Sequence, residues 1–275
     1  MTFRIAWFTS GQDMMCKELL ERALRGLERD LLDTTISFIF CTWEMDEAHD
    51  HETEAARKGI EELAQFFKIP ILMLSAQRDG AVIRDIKDKE WRMVYGKRLR
   101  KMIYGRPFEL GFIDRVELDE DTCARFDLIA LYPSLPWGPR GEEAEIVRQV
   151  LTSKASSHGL MTRICVGKKD AIIPLTYCEF PLHTAKDEEK WNELKSLTKD
   201  GKLDQIPLQN LMTTELYKHI VRMQRIRWSP LVTYTLKMFA EGNLDIVNGK
   251  PVANGLSLAE PIDLTMVVNR ALEKL

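Results

Sequence analysis

Residues 127–141 read Asp-Leu-Ile-Ala-Leu-Tyr-Pro-Ser-Leu-Pro-Trp-Gly-Pro-Arg-Gly, so the phenol of Tyr132 stands where an apolar strand runs into a stiff loop. A hydroxyl there can donate a hydrogen bond or a proton to a substrate oxygen; the same residue also reads as a packed aromatic with its hydroxyl in water. Trp137 reads either as an aromatic pocket wall or as a seal of the loop against the core. Prolines 133, 136 and 139 leave the loop little conformational freedom to lose when a ligand binds. A second cluster, Glu47 to Glu54, sets His49 and His51 among carboxylates. Its spacing is not that of a closed zinc site, and it leads into a helix cap, so no metal is expected.

These residues need elements to position them. An apolar run, Phe3 to Phe8, predicts a buried strand, followed by the loop Thr9-Ser10-Gly11-Gln12-Asp13. Met14 to Leu27 carries Leu19, Leu20, Ala23, Leu24 and Leu27 on one helical face. Thr34 to Thr42, Pro70 to Leu74, Phe108 to Ile113 and Asp127 to Tyr132 predict further strands. Helices are expected at Thr53 to Phe67, capped by Thr53, and at Trp91 to Met102, which is basic and amphipathic. Alternating strands and helices predict an α/β fold with a doubly wound, mostly parallel sheet. Ligands then bind beyond the carboxyl ends of the strands, where the Thr9–Asp13 and Tyr132–Gly141 loops fall.

Farther on, Glu142 to Leu151 predicts a helix, and the apolar runs on either side of Gly167-Lys168-Lys169-Asp170 predict two paired strands. Lys186 to Lys202 reads as a solvated helix and loop, Ile220 to Phe239 as a long helix interrupted at Pro230, and Leu244 to Gly255 as a hairpin turning at Asn248-Gly249. The expected organisation is an α/β domain over 1–185, a charged insertion over 186–219 acting as a lid or a dimer contact, and a smaller C-terminal β/α part over 220–275 completing the same domain.

The 275 residues are 45% apolar and 29% charged with a formal net charge of -3, ordinary values for a globular protein and no sign of a nucleic-acid or membrane partner. The five cysteines lack a Cys-x-x-Cys pair; their odd number without a leader points to reduced thiols and a cytoplasmic location. Cys165 and Cys178 lie on predicted strands and read as small buried hydrophobes.

Five stretches in order carry a resemblance: RIAWFTSG (4–11), ARKGIEELAQFFKIPILML (56–74), GFIDRVELDEDTCARFDLIALYPSLP (111–136), SHGLMTRICVGKKDAIIPL (157–175) and RWSPLVTYTLKMFAEGNLDIVNGKPV (227–252). Together they resemble the folate-dependent formyltransferases, in particular the phosphoribosylglycinamide formyltransferases. The resemblance implies that family's Rossmann-type fold, a small-molecule acceptor and a 10-formyltetrahydrofolate or related folate. In the family an Asn and a His two residues apart polarise the formyl oxygen and manage protons, and a later Asp orients the His. By resemblance these positions fall on Ala130, Tyr132 and Asp170, leaving Tyr132 and Asp170 as candidate catalytic groups.

Folate-contacting positions fall by the same resemblance on Ile113, Asp114, Arg115, Val116, Lys168 and Lys169. Substrate-binding positions fall on Ser10, Gly11 and Gln12 of the phosphate loop, and on Gln224 and Arg225, with Arg227 beside them. Asp13, next in the loop, would repel phosphate, and the arginines suit an anionic or carbonyl-bearing substrate. Ser10 and Gly11 also read as a plain turn into the first helix, Asp170 as an exposed loop charge, and the arginines as solvated helix charges. Two functions are therefore expected from the resemblance: transfer or hydrolysis of a formyl group by an altered mechanism, or a catalytically inactive relative that binds a folate, metabolite or protein partner.

Overall fold

The computed structural model describes residues 2–30, 33–44, 50–79, 82–166, 172–185, 187–197 and 203–274. Asp170, Lys168, Lys169 and His49 lie outside the described residues. In chain order the elements are β1 (Phe3–Thr9), α1 (Met14–Asp30), β2 (Thr34–Cys41), α2 (His51–Phe67), β3 (Ile71–Met73), β4 (Arg78–Asp79), β5 (Val82–Ile83), α3 (Lys89–Ile103), β6 (Leu110–Asp114), α4 (Glu120–Arg125) and β7 (Leu128–Tyr132). There follow α5 (Glu143–Thr152), β8 (Ser157–Ile164), β9 (Ile173–Pro181), α6 (Glu188–Ser196), a 3-10 turn (Leu203–Gln205), α7 (Leu208–Thr213), α8 (Glu215–Ala240), β10 (Leu244–Val247), β11 (Lys250–Ala253), β12 (Leu256–Ser257), β13 (Ile262–Asp263) and α9 (Thr265–Leu272). The fold is α/β and mostly parallel, as the sequence predicts.

Two compact units interleave along the chain: Met1–Ala130, Arg163–Ile173 and Thr235–Leu258 form the first, and Leu131–Thr162, Pro174–Tyr234 and Ala259–Leu275 the second. In the first unit the strand order is β7-β6-β1-β2-β3, with every neighbouring pair parallel. The chain starts at β1, winds outward through β2 and β3, then returns to β6 on the other side of β1 and continues to β7. The direction of winding therefore reverses between β1 and β6, and the crevice beyond their carboxyl ends is where such sheets bind ligands.

The strands are near-continuous apolar runs because both faces are covered: Ile5 to Phe8 are fully buried, and Phe8, Phe38, Phe40, Trp91, Tyr95 and Leu128 share one core. The Asn-Gly hairpin forms as expected. Val247 pairs with Lys250, and Asn248 and Gly249 take positive φ of 54° and 72°, the conformation that a two-residue turn between right-twisted strands requires.

In the second unit the strand order is β13-β9-β8, with β13 parallel to β9. Its core gathers Val147, Val150, Leu151, Phe180, Trp191, Leu194, Leu211 and Ile220.

Three sequence expectations change. Helix α2 starts two residues early because Asp50, not Thr53, caps it: the Asp50 carboxylate accepts from the N–H groups of Glu52 (3.0 Å) and Thr53 (2.9 Å). Helix α8 runs unbroken through Pro230, where Arg227 to Val232 are all buried, so packing outweighs one missing hydrogen bond. The lysine-rich segment is not wholly solvated. Trp191 and Leu194 of α6 are core residues, Trp191 Nε1 donates to the Leu182 carbonyl at 2.8 Å, and the ring of His183 stacks on Trp191 at 4.5 Å. No helix among the described residues is long and apolar enough to cross a membrane.

Candidate functional site

In the first unit the crevice between β1 and β6 is built by Thr9, Ser10, Gly11, Asp13, Cys16, Asp114 and Arg115. Thr9 pairs with Asp114 in the β1–β6 register, Ser10 N–H donates to the Asp114 carbonyl at 3.2 Å, and Thr9 Oγ1 donates to Asp114 Oδ2 at 3.0 Å. Asp114 is only 5% exposed, and burial holds its carboxyl above the usual carboxylate range against the opposing pull of Cys16 and Arg115. Burial pushes the Cys16 thiol up to about 12, with Asp114 adding to the shift, so Cys16 is a buried thiol and not a nucleophile at neutral pH.

Gly11 turns the chain with φ +57°, and a Cβ there would lie 2.7 Å from the Trp43 ring and 3.0 Å from Arg57 Cγ. Only glycine satisfies both demands. Gln12 is exposed, and its carbonyl accepts from Thr53 Oγ1 at 2.9 Å.

The start of α1 is taken by its own chain. Asp13 Oδ1 accepts from the N–H groups of Met15 (3.0 Å) and Cys16 (3.2 Å), while Arg115 Nη1 donates to Asp13 Oδ2. The donors that a phosphate loop offers to its ligand are here used by a carboxylate. Arg115 itself sits at positive φ (55°) just past β6, which swings its side chain back to Asp13. Ile113 and Val116 pack into the core, and Asp114 closes on Thr9, so of the four positions following Phe112 only Arg115 is an exposed residue.

In the second unit Tyr132 is stitched into its own loop. Gly141 N–H donates to the phenol oxygen at 2.8 Å, the phenol donates to the Gly141 carbonyl at 3.3 Å, and the Arg140 guanidinium lies over the ring at 5.7 Å. Arg140 also donates to the carbonyls of Leu135 (3.3 Å) and Pro136. These contacts answer for the rigidity that the prolines foreshadow: the loop closes on Tyr132 as a ring. Trp137 is 65% exposed and meets Tyr177 edge-on at 5.0 Å, so it neither seals the loop nor joins the core. Ala130, at the end of the first unit's β7 segment, is buried and offers no side-chain donor.

Gln224 is fully buried and does what its sequence context does not suggest. Its Nε2 donates to the Pro133 carbonyl at 3.0 Å and lies 2.9 Å from His158 Nε2. The amide nitrogen is the donor in both, so His158 Nε2 accepts and the imidazole is neutral with its proton on Nδ1. Burial agrees, lowering the His158 pKa to about 4. Arg225 is exposed, whereas Arg227 is 6% exposed and lies over the Phe180 ring at 4.9 Å. Sequence reasoning passed over Asp13 as a cap, Cys16, His158 and the burial of Arg227; of these, His158 stands in the resembling stretch 157–175. Among the described residues no group of three or more His, Cys, Asp or Glu could hold a metal ion.

No family model matches the sequence, and no curated protein matches it. Solved structures do. Phosphoribosylglycinamide formyltransferase from Coxiella burnetii superposes with TM-score 0.61 at 14% identity over 96% of this chain and 99% of that one. Glycinamide ribonucleotide transformylase 1 from Symbiobacterium toebii gives 0.57 at 14% identity over 92% and 94%. A formyltetrahydrofolate deformylase from Pseudomonas syringae pv. tomato gives 0.59 at 14% identity over 92% of this chain and 66% of that one. The chain therefore has the fold that these formyltransferases and this formyltetrahydrofolate deformylase share.

Proposed function

We propose that the chain is an enzyme handling a formyl or related one-carbon group, with a 10-formyltetrahydrofolate-type donor, and that it passes the group to water or to an acceptor other than glycinamide ribonucleotide. The observation that carries this reading is the end-to-end fold match to a phosphoribosylglycinamide formyltransferase, 96% of one chain on 99% of the other. A different acceptor is supported by Asp13: a phosphate brought to the start of α1 would meet a carboxylate already holding the Met15 and Cys16 N–H groups.

Tyr132 and Asp170 are the proposed catalytic pair. The phenol would donate its proton toward the formyl oxygen as negative charge develops there, with Asp170 as the accompanying carboxylate. Of the two bonds from Tyr132 to Gly141, the 3.3 Å one uses the phenol proton and is the weaker. That proton can turn to a substrate while the 2.8 Å bond keeps the ring in place. Any contact from Ile113 or Val116 to a pterin would be made by backbone, since both side chains pack inward; Arg115, Lys168 and Lys169 are the proposed charged contacts, and Ser10, Gly11, Gln12, Gln224 and Arg225 the proposed acceptor side.

The engagement of the Tyr132 hydroxyl with Gly141 supports a second reading, a catalytically silent relative that binds a folate or metabolite. Calorimetric titration with 5- and 10-formyltetrahydrofolate, then a turnover assay on whichever binds, separates the two. Binding with release of tetrahydrofolate, and of either formate or a formylated acceptor, supports the enzyme. Binding without product supports the silent relative, and no binding of either folate overturns the enzyme and restricts the silent relative to a ligand other than folate.

A further inference from the structure

We infer that the groove between α3 and α4, within the first unit, is a further ligand site, and that it suits a small zwitterion with an apolar body: an α-amino acid of the leucine or phenylalanine kind. The groove holds a cavity of about 400 Å³, a volume at which small-molecule sites occur. None of its walls comes from the crevice between β1 and β6.

One wall follows from helical spacing. Lys89, Arg92, Met93, Lys97 and Arg100 stand at i, i+3, i+4, i+8 and i+11 and form one stripe of α3, while Trp91, Tyr95, Leu99 and Ile103 face the core. The facing wall is the start of α4. A clamp of buried groups fixes the two together. Arg100 Nη1 donates to both Asp119 carboxylate oxygens (2.6 and 2.9 Å) and reaches Thr122 Oγ1 at 2.6 Å. Asp119 lies so close to α3 that a Cβ on Gly96 would stand 1.1 Å from its Oδ2. The groove is therefore built before a ligand arrives, and binding has little ordering left to impose.

The clamp and its neighbours use some of the charges along the groove and leave others. Asp121 lies 3.6 Å from Arg100, and Arg92 reaches Glu117 at 3.4 Å and the Lys87 carbonyl at 3.2 Å. Lys89, Lys97 and Glu120 line the cavity and make no ion pair or side-chain hydrogen bond among the described residues. Met93, one turn from each lysine, is 48% exposed and gives the groove an apolar floor with Leu118. Two ammonium groups, one carboxylate and an apolar floor complement a molecule that carries a carboxylate, an ammonium and an apolar side chain. Its carboxylate would meet Lys89 and Lys97, its ammonium Glu120, and its side chain Met93 and Leu118. A simple acid would leave Glu120 without a partner, and a simple amine would face the lysines.

The test uses the full chain without folate, so it is independent of whether formyl chemistry occurs. Isotope-labelled methionine methyl groups are followed by NMR, with the Met93 signal assigned from M93L, during titration with L-leucine and L-phenylalanine. Isocaproate and isoamylamine, which each carry one half of the leucine charge pair, are the comparison ligands. The Met93 signal should move saturably with both amino acids, and each half-ligand should need a roughly tenfold higher concentration. The double variant K89Q/K97Q should weaken leucine and isocaproate roughly tenfold and spare isoamylamine, and E120Q should do the converse to the two half-ligands. All three side chains are exposed, so these variants keep the fold. The inference is overturned if the Met93 signal does not saturate with either amino acid, if a half-ligand binds as tightly as leucine, or if the variants respond as the wild type does.

Discussion

Replacing Tyr132 by Phe separates a loop stitch from a proton donor. The substitution removes one hydroxyl and leaves the ring, so packing under Arg140 is kept. What is lost is a 2.8 Å bond from Gly141 N–H and a 3.3 Å bond to the Gly141 carbonyl. A net hydrogen bond contributes about 0.5–1.5 kcal/mol, and the contact lies at the protein surface, where water can replace the lost partner. The expected loss is therefore about 1 kcal/mol, moving the thermal midpoint of a chain this size by roughly 2–4 °C. Calorimetric or fluorescence-detected melting measures this. Turnover of whichever formyl folate binds, measured on the same sample well below the midpoint, gives the second readout. If the phenol donates to the formyl oxygen, the rate should fall about 100- to 1,000-fold with the fold intact. A Y132F midpoint indistinguishable from wild type would refute the claim that the phenol closes the loop, and an unchanged rate would remove Tyr132 from the chemistry.

Gly11→Ala should lower stability by about 2–4 kcal/mol, combining roughly 1–2 kcal/mol for a positive φ with displacement of the Trp43 ring; urea unfolding reads it, and a loss under about 0.5 kcal/mol would contradict the close approach. His158 predicts a pH dependence. Its folded pKa of about 4 lies below the unfolded value near 6.5, so as pH falls through that window the unfolded chain takes the proton first. Stability should drop progressively from about pH 6.5 to pH 4, by at most about 3 kcal/mol from this residue, and then level off. His158→Gln should flatten that part of the profile. Equal slopes in the two proteins would show that His158 is not the group responsible.

The order of elements was legible because each rests on local physics. Period-two and near-continuous apolar runs make β1, β2, β6 and β7, the leucine stripe makes α1, and Asn248-Gly249 makes a turn wherever it occurs between such arms. Boundaries were less legible where two polar residues compete for one role, as Asp50 and Thr53 do at the start of α2, since the choice depends on which side-chain oxygen the folded backbone brings to the free N–H groups. Composition misled at α6: lysines and glutamates dominate the count, but Trp191 and Leu194 decide the burial.

The candidate sites divide in the same way. That Ser10-Gly11 and the Tyr132 loop follow strands could be read from residue order alone. That Asp13 fills the start of α1, that the Tyr132 hydroxyl is held by Gly141, and that Arg227 is buried while Arg225 is not are products of the folded chain. Hydrogen-bond partners and desolvation are set by which atoms meet across long sequence separations, such as the 102 residues between Asp13 and Arg115. Pattern along the chain specifies the scaffold; only the packed arrangement specifies which polar groups are already satisfied and which still need a partner.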